Sequence, residues 1–301
     1  MNRIWARLEK EIPKEQAAYQ GGRSTSEQVL ALKLIIEKAI THTDLQIHIK
    51  LLDMSKAFDT VNRKMLLKDL EEILDKDELH LLSKITNQPK LKIKLEGQQG
   101  EAFKTTQGIM QEDCLSAVLF IYYLSCALKA EQINQNDHNY AKAIDLDINP
   151  KYADDIKYIT DNKQTHENRE EITTKRLKEY NLGVNKTKTE NYEVPENQNP
   201  ESVPEYDGKR ILWSELDWLL PQKENRNKHE KWKDCKLLGS KLDTEKDIQN
   251  RKTKTVLAMK KQKHIFKSKA TSFIIKIRTF MTFISSIFLY NSELWNLTKT
   301  N

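Results

Sequence analysis

The sequence predicts an α+β fold: an antiparallel sheet with helices on one face, followed by a helical and basic C-terminal part. Three observations carry this. The stretch IHIKLLDM (47–54) turns wholly apolar just before Asp53, the pattern of a central strand buried on both faces. Period-two stretches, KLKIKLEG (90–97) and IDLDINPKYADDIKYIT (144–160), alternate with segments of helical spacing. From Pro221 to Asn301 there are nineteen Lys or Arg against seven Asp or Glu, although the whole chain carries only +6, so the first 220 residues are net acidic.

The elements follow in order. Ser24, with Glu27 three residues on, fits a capping box ahead of EQVLALKLIIEKAI, where Val29, Leu32, Ile36 and Ile40 recur at helical spacing. The strand ending at Asp53 comes next, then a helix from about Arg63 to Leu74. KLKIKLEG and EAFKTTQ form a hairpin with its turn in Glu96–Gly100. Asp113–Lys129 is a helix and 131–143 a polar loop. YADD sits at the turn of a second hairpin, whose arms carry Ile144, Leu146 and Ile148 on one side and Ile156 and Tyr158 on the other. Residues 164–181 form a polar helix. The stretch 194–230, with Pro195, Pro200, Pro204 and Pro221, reads as a linker or insertion. CKLLGSKLD gives a short hairpin turning near Gly239, and helices at about 245–268 and 271–290 close the chain.

The 301 residues suffice for about two domains. Cys114 and Cys126 lie about 18 Å apart along one helix, too far to bridge, and Cys235 has no nearby cysteine to suggest zinc, which points to a reducing, intracellular setting. TFMTFISSIFLY (279–290) is too short to span a bilayer and reads as a buried helix, so no membrane partner is expected; MNRIWARLEKEIPKE lacks the apolar core of a signal peptide. The basic last quarter favours a polyanionic partner, although a solvated lysine-rich helical face gives the same count.

Asp53 and the Asp154–Asp155 pair, on two strand-like segments 101 positions apart, are the least equipment that holds two divalent cations around a transferring phosphoryl group. An Asp-Asp pair alone is usually a solvated turn; the apolar flank of Asp53 raises its weight.

These segments resemble the reverse transcriptases of non-LTR (LINE-type) retrotransposons, over about Ile4 to Trp295. LLDMSKAFDTV is similar to the first palm motif, YADD to the catalytic hairpin, QGIMQEDCLSAVLF to the second palm motif and NLGVNKTKTE to the fourth. CKLLGSKLD resembles the primer-grip hairpin and AAYQGGRSTSEQ the finger segment leading into the palm. The resemblance implies a right-hand polymerase palm with partial fingers and a helical thumb. Its parts are partial fingers at 1–45, palm at 46–193, an insertion at 194–230, a primer-grip-like hairpin at 231–243 and a basic thumb at 244–301.

It further implies RNA-directed DNA polymerase activity with two Mg²⁺ ions, Mn²⁺ being the substitute. Asp53, Asp154 and Asp155 would be the metal ligands and Lys188 the proton donor to pyrophosphate. Phe58 would be the steric gate against a ribose 2′-OH, Gln111 would open the helix against the nascent base pair, and Arg23 would contact template or phosphate. The implied partners are an RNA template with a DNA primer, or an RNA–DNA duplex, and deoxynucleoside triphosphates. Taken singly, Phe58 reads equally as a core aromatic and Lys188 as an exposed lysine.

Some positions depart from the family pattern. Glu112 stands in place of glycine after the helix-opening Gln, Met110 and Ala117 replace prolines, and Gln20 replaces an arginine. Glu112 brings bulk and negative charge toward phosphates and metal-binding carboxylates. The resemblance also implies that the chain starts within the fingers, without the upstream segments that bind triphosphate. Two functional readings therefore stand: a reverse transcriptase, and an inactive nucleic-acid-binding remnant. A two-metal nuclease would have no use for Phe58 or a basic thumb.

Overall fold

The computed structural model describes residues 2–41, 46–87, 90–111, 113–133, 151–160, 163–194 and 228–295. The chain falls into two compact units. One comprises Met1–Leu32 and His48–Asn191; the other comprises Lys33–Ile47 and Tyr192–Asn301.

The first unit is built on the predicted buried strand, β1 (Ile47–Leu52), of which five residues are fully buried. It pairs antiparallel with β8 (Asp155–Thr160), in a register that sets Leu52 opposite Ile156, and β8 pairs with β7 (Lys151–Tyr152). A fourth strand, β10 (Glu190–Val194), borders β1; its first two residues still belong to this unit. Between these lie β2 (Met54–Ser55), paired with β9 (Gly183–Val184), and an exposed hairpin. That hairpin pairs β3 (Lys90–Leu91) with β6 (Phe103–Lys104) and β4 (Lys94–Leu95) with β5 (Gln98–Gln99). Its turn is tighter than the sequence suggested, at Glu96–Gly97, both with positive φ.

The helices are α1 (Asn2–Leu8), α2 (Thr25–Thr41), α3 (Ala57–Thr60), α4 (Arg63–Leu70), α5 (Lys76–Thr86), α6 (Cys114–Ile133) and α7 (Lys163–Glu179). Ser24 accepts the Glu27 amide at 3.2 Å, as the capping pattern predicts, and Val29, Leu32 and Ile36 are buried. The predicted helix 63–74 stops at Leu70, and α5 was not foreseen. Its Asp75 cap and Glu78 complete a reciprocal capping box, a pattern visible in the sequence. The core is dominated by α6, with Val118 through Leu124 all buried, against Leu66, Leu70, Leu82, Ile156 and Tyr158. α7 packs on α6 and β8. The upstream arm expected at 144–150 and most of the 194–230 insertion lie outside the described residues.

In the second unit, β11 (Lys236–Leu237) and β12 (Ser240–Lys241) form the expected hairpin, turning at Leu238–Gly239 with φ of 46° and 84°. The long helix is α8 (Thr244–Lys261), followed by α9 (Lys263–Lys267), α10 (Phe273–Thr279), a π-helical stretch Phe280–Ser285 and α11 (Ser286–Leu289). Asp247 on α8 accepts from the Lys241 amide at 2.9 Å and from Trp295 Nε1 at 3.0 Å. Arg251 donates to Gly239 O and Ser240 Oγ, and lies 4.7 Å over the Tyr290 ring. These contacts clamp the hairpin onto the helices.

The expectation of a buried helix at 279–290 fails. Phe273, Ile274, Ile275, Met281 and Phe283 are each more than half exposed. The segment Phe273–Leu294, 22 residues of mean hydropathy 1.5 and helical as far as Leu289, is long and apolar enough to cross a membrane by length and composition, against the expectation that the run is too short. An apolar run specifies what a surface avoids, not which element covers it.

Candidate active site

Asp53 leaves β1 at its C-terminal end, and its carbonyl accepts the Asn185 amide at 2.8 Å. β7 and β8 are joined by a two-residue turn, Ala153–Asp154, with Tyr152 opposite Asp155. Continued one step past Leu52–Ile156, the β1–β8 register sets Asp53 against Asp155. Asp155 thus begins β8, and only Asp154 of the pair lies in the turn.

The three carboxylates are electrostatically coupled. Burial, and then the charge of Asp53, pushes the Asp154 carboxyl above the usual carboxylate range. Burial also raises Asp155; Lys157 opposes this, while Asp154 and Asp53 add to it. Asp53 Oδ2 is buried with no hydrogen-bond partner, and Lys188 Nζ stands 3.7 Å from it, beyond hydrogen-bond reach. Lys188 is itself 69 % exposed, so solvent screens the pair. Its backbone is ordered by Asn185, whose Oδ1 accepts from the Thr187 amide and hydroxyl and whose carbonyl accepts the Lys188 amide.

A half-buried group of carboxylates, one of whose oxygens has no hydrogen-bond donor, is the donor chemistry of a hard divalent cation. The residues therefore fit such an ion in charge and ligand type. Among the described residues no three potential ligands already stand together as a metal cage, so oxygens from substrate or water would have to complete the coordination.

A second group surrounds Phe58. After β2, Lys56 adopts a left-handed conformation (φ 50°) that turns the chain into α3. The Phe58 ring stacks on Phe120 of α6 at 4.5 Å, and its carbonyl accepts the Ile109 amide at 2.9 Å. Gln111 is exposed and its Nε2 donates to Asp59 Oδ1 at 3.3 Å. Glu112 lies outside the described residues. Arg23 is not in either group; it pairs with Glu27 one helical turn on.

Sequence reading missed three features here. Arg63 is buried, pairs with no carboxylate among the described residues, and donates four hydrogen bonds into one loop: Nε to Gly108 O (2.5 Å), Nη1 to Thr105 O (2.7 Å), and Nη2 to Thr105 Oγ1 (2.7 Å) and Gln107 O (2.9 Å). Burial lowers its pKa. Gly108 (φ +82°) packs so closely that a Cβ would lie 2.7 Å from Asp59 O. Gln16, buried, hydrogen-bonds Ala153 in the turn that carries Asp154. The only sequence signal was Gly108 at the boundary of a polar and an apolar run.

The chain matches the family model described as reverse transcriptase (RNA-dependent DNA polymerase) over residues 1–242. No curated protein matches it. Among solved structures it is similar to apo telomerase from Candida tropicalis truncated from the C-terminal domain, at 17 % identity and a TM-score of 0.50, covering 64 % of this chain and 39 % of that one. It is also similar to telomerase from Candida albicans in complex with a TWJ fragment of telomeric RNA, at 14 % identity and a TM-score of 0.45, covering 98 % and 51 %. The chain thus spans less than two thirds of the length of those structures. The first likeness concerns fold, and it agrees with an antiparallel sheet and helices arranged as a polymerase palm. Reverse transcriptases generally use divalent metal ions, typically Mg²⁺. With a family match covering most of its length, the chain belongs to the reverse transcriptase (RNA-dependent DNA polymerase) family.

Proposed function

We propose that the first unit carries the palm of a LINE-type retrotransposon reverse transcriptase, which adds deoxynucleotides to a primer 3′-OH on an RNA template. The observation that supports this best is the strand register that sets Asp53 against Asp155 with Asp154 in the adjoining turn, Asp53 Oδ2 being buried without a hydrogen-bond partner. Two Mg²⁺ ions held by these carboxylates would lower the pKa of the primer hydroxyl and neutralise the charge developing on the triphosphate.

The chain's own residues do the rest. Lys188, exposed and 3.7 Å from Asp53, would donate the proton to the leaving pyrophosphate. Phe58, locked by its stack on Phe120, presents a rigid edge against a ribose 2′-OH. Gln111 at the mouth of α6 faces the incoming base pair. The domain limits at 45, 193, 230 and 243 belong to the same reading, with the basic helices after 243 following the duplex backbone as a thumb.

Primer extension on an RNA template by the purified chain is the test. Template-directed incorporation of deoxynucleotides, lost in Asp154→Asn, is the expected result. Duplex binding with a steep salt dependence but no incorporation would instead make the chain a nucleic-acid-binding remnant.

A further inference from the structure

The catalytic turn is held from far away in sequence. Gln16, 2 % exposed, accepts the Ala153 amide on Oε1 at 2.8 Å and donates Nε2 to the Ala153 carbonyl at 3.3 Å, across 137 positions. The same Oε1 accepts the Ala18 amide at 3.1 Å. Flanking backbone adds a short parallel bridge: the Ala17 amide donates to Lys151 O at 2.9 Å and the Lys151 amide to Glu15 O at 3.0 Å.

The Ala153 carbonyl belongs to the peptide that leads into Asp154, so the Gln16 side chain fixes both peptide planes flanking Ala153. That residue needs fixing. Ala153 is a non-glycine residue at φ 52°, a conformation costing about 1–2 kcal/mol. Asp154 also feels the charge of Asp53, and like charges favour a wider spacing of the turn from β1. A buried amide hydrogen-bonded at both ends opposes that displacement without adding charge.

We propose that Gln16 is a positioning residue of the polymerase site, a latch that sets the spacing of Asp154 and Asp155 from Asp53 and so governs divalent-cation affinity. This rests on the polymerase reading above.

The test uses the full chain as wild type, Gln16→Met and Ile12→Ala, the last a buried apolar residue of the same unit whose side chain has no polar atom to hydrogen-bond the turn. Mn²⁺ binding is followed by electron paramagnetic resonance without nucleotide, beside RNA-templated primer extension at graded Mg²⁺. The expected result for Gln16→Met is at least about tenfold weaker Mn²⁺ binding, as for other residues that orient metal ligands. The Mg²⁺ requirement for extension rises in parallel, and the KM for primer–template stays within about twofold. Ile12→Ala should lower the melting temperature and leave Mn²⁺ affinity unchanged. Equal Mn²⁺ binding by wild type and Gln16→Met, with extension intact, overturns the latch and leaves the polymerase reading standing. A wild type that neither binds Mn²⁺ nor extends primer overturns the polymerase reading and the latch with it.

Discussion

Replacing Gly108 by alanine tests the packing around the Phe58 group. The residue is at φ +82°, where an L side chain costs about 1–2 kcal/mol. The added Cβ would also meet backbone, 2.7 Å from Asp59 O, 2.9 Å from Asp59 Cα and 3.0 Å from Asp59 C, and none of these can rotate away. Overpacking of this kind costs about 1–3 kcal/mol more. The sum is roughly 2–5 kcal/mol, which for a unit of this size lowers the melting temperature by about 5–20 °C. Gly22 is the matched control: it has φ +76° in the same unit, with nothing within 4 Å of its Cβ position. Gly22→Ala should therefore lose only the conformational part, about 2–8 °C. Thermal unfolding of both variants by circular dichroism decides the matter. A Gly108→Ala protein no less stable than Gly22→Ala would refute the close approach of the 105–108 loop to Asp59.

Other outcomes follow from the same contacts. Arg63→Lys, whose ammonium cannot span three carbonyls and a hydroxyl, should lose about 2–4 kcal/mol in denaturant unfolding. Phe58→Val should weaken discrimination against ribonucleoside triphosphates by about 10–200-fold in kcat/KM ratios, and an unchanged ratio would make Phe58 a packing residue only. His166, whose ring bonds Thr160 at 2.9 Å, has its pKa lowered by burial and by His48 and Lys50, with Glu170 opposing. The unfolded chain therefore binds the proton more readily, so this stability is full above about pH 6.5 and is lost as pH falls from there toward the folded pKa. His166→Gln should flatten that slope in chemical denaturation measured from pH 7.5 to 5.

Much of the first unit was legible because burial on both faces writes itself into the chain. β1 ends in the apolar pair Leu51–Leu52 directly before Asp53, and α6 is apolar nearly all round, so each announces its place. The turn holding Asp154 could be read from its alternating flank. Its latch could not: Gln16 is an ordinary polar residue whose partners lie 137 positions away, and no local pattern encodes such a bond. Arg63 failed for the same reason, since a charged residue in a helix reads as exposed unless its acceptors are known. The helix α5 is legible in its Asp75–Glu78 box, although its apolar spacing alone does not separate it from the helix before it. At 279–290 the sequence reading takes the apolar run as too short and as buried, whereas it begins at Phe273 and stays largely exposed, because a helix's covering partner is a tertiary fact.

The central claim is that Asp53, Asp154 and Asp155 form one divalent-cation site of a polymerase. Single-nucleotide incorporation on an RNA-templated primer by Asp53→Asn, Asp154→Asn and the double variant tests it most directly. One site predicts that each single change abolishes nearly all incorporation and that the double variant loses no more than either. Losses that multiply, or a single variant that retains most of the wild-type rate, would contradict it.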